Sequence, residues 1–81
     1  MRLISQNGEI DVPYESVAVA LNNMNKRQII CFDTKDTQDK CWKLGEYNTE
    51  ENAKKAMKLL KMEFIEYGDS GYFEFPQDEE V

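Results

Sequence analysis

The most constraining feature of this chain is an apolar stripe in its C-terminal third. Ala53, Ala56, Met57, Leu60, Phe64 and Tyr67 recur at spacings of three, one, three, four and three. That period puts them on one face of an α-helix. Asn48 suits the N-cap, and Glu51 three residues later completes a capping-box pattern. Glu50 and Glu51 fall in the first turn, where the helix dipole favours negative charge. Glu50–Lys54 and Glu51–Lys55 are i,i+4 pairs in the favourable order, each worth about 0.3 kcal/mol. Gly68 fits the position after the last turn, where left-handed backbone is wanted. The spacing therefore predicts a helix over about 49–67. One apolar stripe needs one partner layer, and the rest of the chain must supply it.

That remainder reads as strands. Asn7-Gly8 is a strong hairpin signal, because a two-residue type I′ turn needs positive φ at both central positions. Such a loop pairs Gln6 with Glu9, Ser5 with Ile10 and Leu3 with Val12. Leu3, Ile10 and Val12 then share a buried face, with Asp11 on the other. Pro13 lacks an N–H and ends the second strand or holds it at an edge. Val17, Val19 and Leu21 alternate with alanines; the β-branched residues favour a third strand, while the alanines also allow a helix. A polar turn follows at Asn22–Lys26. Gln28–Phe32 is a continuous apolar run, expected as a central strand. Cys41–Tyr47 alternates again, with Trp42 and Leu44 opposite Cys41 and Lys43. Tyr72–Phe75 is a last strand, with Phe73 and Phe75 on the core face and Pro76 as its stop.

Strands, one helix and a final strand predict an α+β fold. The expectation is a small antiparallel sheet of about 4–6 strands with an N-terminal hairpin, packed against one helix, with the final strand at about 72–75. Residues 1–76 form one compact domain and 77–81 an acidic, mobile C-terminal tail. Ile4, Ala18, Ala20, Ile30 and Phe32 do not fit one buried face together with Val17, Val19 and Leu21. That surplus means that the sheet curls or that a second protomer covers it.

Length bounds function. A domain of 81 residues has a modest core and little room for a deep cleft. A composition of 41% hydrophobic and 32% charged residues is that of a globular chain. No run of about 18 apolar residues is present, so no membrane span is expected. No secretion signal is visible, which makes the reducing cytosol the default and leaves Cys31 and Cys41 as free, packed thiols. The net charge of −6 argues against general nucleic-acid binding. It suits a basic partner or plain solubility.

Chemistry-bearing motifs are few. The chain has no His, so neither cysteine has the usual activating base, and no cysteine pattern of a zinc site exists. Asp33, Asp36 and Asp39 are spaced three apart without the glycine of a calcium loop, which reads as a solvated loop. Lys54, Lys58 and Lys61 form a helix stripe that can meet phosphate or an acidic partner, or simply face water. Asp11 and Glu15 are a conceivable acid–base pair that nothing singles out. Tyr14 and Trp42 become interface anchors if exposed. The expectation is that the protein is not an enzyme and needs no cofactor or metal.

Three segments carry a resemblance: MRLISQNGEIDVPYE at the start, YNTEENAKKAMKLL in the middle and FEFPQDEEV at the end. Together they resemble small proteins of phages, prophages and mobile elements of Firmicutes. The resemblance covers about half the chain, and nothing specific matches over about 17–45. It implies a cytoplasmic accessory protein of the bacterial host cell and assigns no chemistry. The reading it favours is a non-enzymatic protein that binds a host or phage protein, as an inhibitor of a host enzyme or defence system. Two alternatives stay open: a binder sequestering a nucleotide-like small molecule, and a self-associating structural component, with a homodimer compatible with either. Candidate partner-binding residues are Tyr14, Asp33, Asp36, Asp39, Trp42, Asp78, Glu79 and Glu80.

Overall fold

A computed structural model describes residues 1–35, 41–68 and 70–81. The elements are β1 (Arg2–Ile4), β2 (Asp11–Pro13), β3 (Val17–Asn22), β4 (Asn25–Asp33), β5 (Cys41–Glu46), α1 (Glu50–Tyr67) and β6 (Tyr72–Glu74). A 3-10 turn at Tyr14–Ser16 links β2 to β3, and another closes the chain at Asp78–Glu80. The α+β class is as expected. The six strands divide into two three-stranded sheets, ordered β2-β1-β6 and β3-β4-β5.

β6 pairs with β1 in parallel, Leu3 opposite Phe73. This departs from an all-antiparallel sheet, and its cause is α1. Eighteen residues of helix carry the chain back about 27 Å at 1.5 Å per residue, so the last strand starts beside the start of the first. The N-terminal hairpin keeps the expected register, Leu3 opposite Val12 and Ser5 N–H donating to the Ile10 carbonyl at 2.8 Å. Its turn differs. Gly8 N–H donates to the Ser5 carbonyl at 2.9 Å, and Glu9 N–H donates to Asn7 Oδ1 at 3.1 Å. The tight turn thus spans Ser5–Gly8, with Gly8 at φ 76, rather than centring on Asn7-Gly8.

β4 is the central strand of its sheet and lies under α1. Ile29 and Cys31 are fully buried there, with Val17, Val19 and Leu21 of β3 packed on the same core. Opposite β4, the register shifts between Ile29 and Ile30, leaving Leu44 as an extra residue in β5. A bulge of this kind sets two residues against one, and both Leu44 and Gly45 are buried. α1 contributes Ala53, Ala56 and Leu60 to the core. Leu3 of β1 and Phe75, the residue after β6, complete it from the other side.

The helix begins one residue later than the capping pattern suggests. Thr49 is the N-cap, its hydroxyl accepting from Asn52 N–H at 3.1 Å. Asn48 is engaged elsewhere: its N–H and its side-chain amide both donate to the Asp78 carboxylate at 2.7 Å. Gly68 closes the helix at the expected position and at positive φ (65), with its N–H on the Phe64 carbonyl, but its ψ of −138 lies outside the left-handed helical region.

Candidate interaction surfaces

Three segments distant in the chain meet at one junction. Gln6 N–H donates to the Leu44 carbonyl at 2.7 Å, and Gln6 Oε1 accepts from Glu46 N–H at 3.0 Å. Gln6 Nε2 donates to the Pro76 carbonyl at 3.1 Å, and Gln77 Nε2 donates to the Gln6 carbonyl at 2.9 Å. Tyr47 adds a hydroxyl bond of 2.8 Å to the Pro76 carbonyl. Burial, with the Asp78 and Glu80 charges behind it, pushes the Tyr47 phenol up to about 12. The three resemblance-bearing segments thus share a structural task, which is to tie the two sheets and the helix start together.

The acidic end belongs to this junction and does not hang free. Asp78 also accepts from Asn52 Nδ2 at 3.2 Å, and Glu80 accepts from Gln77 N–H at 2.8 Å. Val81 packs on the core. Asp78 is therefore committed to the helix start, where a carboxylate meets unpaired N–H groups and the positive dipole end. Glu79 remains exposed.

The other candidate residues are scattered. Tyr14 is half-buried, its ring edge-on to Phe64 at 5.2 Å, which makes it a packing residue rather than a free anchor. Asp33 ends β4, and its carboxylate accepts from Lys35 N–H at 2.8 Å. Asp36 and Asp39 lie outside the described residues. Trp42 is 38% exposed on β5, an edge strand of its sheet. Among the described residues, no hydrogen bond or ring contact joins Tyr14, Asp33 or Trp42 to the Asp78 turn.

Apart from Ile4, which lies in β1 of the other sheet, the apolar surplus noted in the sequence falls on the face of β3-β4-β5 away from the core. Paired residues share a face in an antiparallel ladder. Ala18 opposes Phe32 and Ala20 opposes Ile30, while Ile30 and Phe32 face Lys43 and Cys41 on the other side. The two alanines are too small to cover their neighbours, and Phe32 is 39% exposed. Trp42 opposes buried Cys31, so it emerges on the opposite face from Phe32. Lys43 and Glu46 pair at 3.1 Å beside this surface, which holds the Glu46 carboxyl below its usual range. Burial pushes the Cys31 thiol up, away from thiolate reactivity; Cys41 is exposed and free.

A second apolar stripe runs along the solvent side of α1. Leu59, Met62 and Ile65 are 41%, 55% and 80% exposed. Their spacing of three was legible in the sequence, but it competes with the stronger core stripe on the same helix. Tyr67, assigned to that core stripe, is itself largely exposed at the helix end. Between the helix and Tyr14 lies a concavity of about 310 Å³ whose rim carries Lys54, Lys58 and Lys61. Among the described residues, no group of three potential metal ligands converges. Among these residues, too, no helix is long and apolar enough to cross a membrane. No protein family, curated protein or solved structure matches the chain.

Proposed function

We propose that this protein is a non-enzymatic accessory protein of a phage or mobile element that acts in the bacterial cytoplasm by binding a host or phage protein, as an inhibitor of a host enzyme or defence system. One observation carries the reading: the outward face of β3-β4-β5, where Ile30 and Phe32 stand beside Ala18 and Ala20, with the Lys43–Glu46 ion pair at its border. Large apolar side chains held on a hydrogen-bonded sheet are preorganised for a flat apolar partner surface. The resemblance to phage-borne proteins supports the setting. The acidic total supports protein over nucleic acid as the partner.

The test is affinity capture from a Gram-positive host lysate with wild type and Phe32→Asp in parallel. The expected result is one stoichiometric partner that Phe32→Asp fails to retain and whose activity falls as wild type is added. A partner held equally by both proteins would sink the surface assignment. The same apolar face also suits a second copy of the chain, the competing use of it. Sedimentation of the purified protein separates the two uses, because a dimer abolished by Phe32→Asp would assign the face to self-association.

A further inference from the structure

We propose that the concavity between α1 and the Tyr14–Ser16 turn binds a small organic phosphate, a nucleotide-sized anion with a flat apolar body. This goes beyond the protein-binding reading and uses a different surface. The concavity holds about 310 Å³, at the small end of the range for ligand pockets, about 300–1,000 Å³. Its floor is apolar, built from Val19, Met57 and Leu60, with Tyr14 as its wall. The Tyr14 ring is fixed by its perpendicular packing on Phe64, so the wall is preformed.

The charge pattern points to the ligand class. The chain carries sixteen acidic residues against ten basic ones, yet no carboxylate lines this concavity. Its rim is Lys54, Lys58 and Lys61. From Asn52 to Met62 the helix has four lysines and no acid. Lys54 is held by Glu50 at 3.1 Å, whereas Lys58 and Lys61 have no acidic partner among the described residues. Elsewhere Arg2 and Lys43 are neutralised by Asp11 and Glu46. Spacings of four and three put the three ammonium groups on one side of the helix, above the floor. An apolar base or ring on the floor with its phosphate between Lys58 and Lys61 satisfies both halves of the site.

The test is a titration of the isotope-labelled full chain, followed by backbone amide shifts at fixed ionic strength. The probes are AMP, ADP, GDP and flavin mononucleotide, with adenosine and inorganic phosphate as separate arms. At least one nucleotide should give saturable shifts confined to Tyr14, Val19 and the Met57–Lys61 turn, with a Kd of about 1 mM or tighter. Lys58→Glu combined with Lys61→Glu should weaken that binding about tenfold or more. Lys26→Glu, exposed at the start of β4 and outside the lining of the concavity, should leave it unchanged. Phe32→Asp should also leave it unchanged, so this inference and the protein-binding reading fail separately. The amide spectrum reports in the same experiment that each variant is folded. The inference is overturned if no probe saturates, if charge reversal leaves affinity intact, or if inorganic phosphate binds as tightly as every nucleotide.

Discussion

Single residues at the junction carry more of the structure than their polarity suggests. Gln6 uses both ends of its amide, one to Glu46 and one to Pro76, and so bridges β5 to the chain end. Gln6→Ala leaves those backbone groups seeking water and should cost about 1–2 kcal/mol in denaturant unfolding. Asp78→Ala removes three bonds to Asn48 and Asn52 and a charge at a helix start, and should cost about 2 kcal/mol. A loss below about 0.5 kcal/mol would mean that the terminal turn is not docked in solution. Gly45 sits against the Tyr47 ring; a Cβ there would lie 3.2 Å from its Cε2. The Tyr47 hydroxyl is anchored on Pro76, so the ring has little room to yield. Gly45→Ala should therefore destabilise by about 1 kcal/mol or more.

At the scale of elements, β4 shows how one strand serves two surfaces. Ile29 and Cys31 point into the core, Ile30 and Phe32 away from it. Cys31→Ser should cost about 2 kcal/mol, because a hydroxyl replaces a buried thiol at a site packed for a sulfur. Phe32→Ser, one residue on, should change stability by only about 0.5–1 kcal/mol. Paired thermal melts check the assignment, and equal losses would contradict it. The helix core face, its closing Gly68 and the strand order along the chain were all legible from periodicity and turn residues. The N-cap was not. Asn48 and Thr49 are both good caps, and the choice was made by Asp78, thirty residues away, which claims Asn48. The bulge at Leu44 was equally hidden, since alternation alone does not reveal where a register slips.

For the whole molecule, the pH dependence of stability follows from groups at the N-terminus and around Tyr47. The N-terminal amine donates to the Glu15 carboxylate, which lowers the Glu15 pKa, as the Lys43 bond lowers that of Glu46. A depressed carboxylate stabilises the fold above its ordinary value, near 4.5, and that contribution is lost as pH falls through the lowered value. Tyr47 acts on the alkaline side. Its phenol is raised from 10.0 to about 12, so the unfolded chain releases this proton first. Between those values the folded state binds more protons, and stability falls as pH rises, by up to about 2 kcal/mol. Tyr47→Phe should lose the bond to Pro76 at neutral pH and flatten the decline between pH 10 and 12. An unchanged alkaline limb in that variant would place the cause elsewhere.

The sequence by itself determined the class of fold, one helix with strands before and after it, because periodicity and turn chemistry are local. It also marked an apolar surplus that one buried face could not absorb. Only the tertiary structure decided that the strands form two sheets, that β6 runs parallel to β1, and that the acidic end docks on the helix start. It alone brought Tyr14 and Val19 beside the helix lysines and put Phe32 and Trp42 on opposite faces. These are relations between residues far apart in the chain. They are set by where an 18-residue helix returns the backbone and by which distant carboxylate or amide satisfies a given N–H.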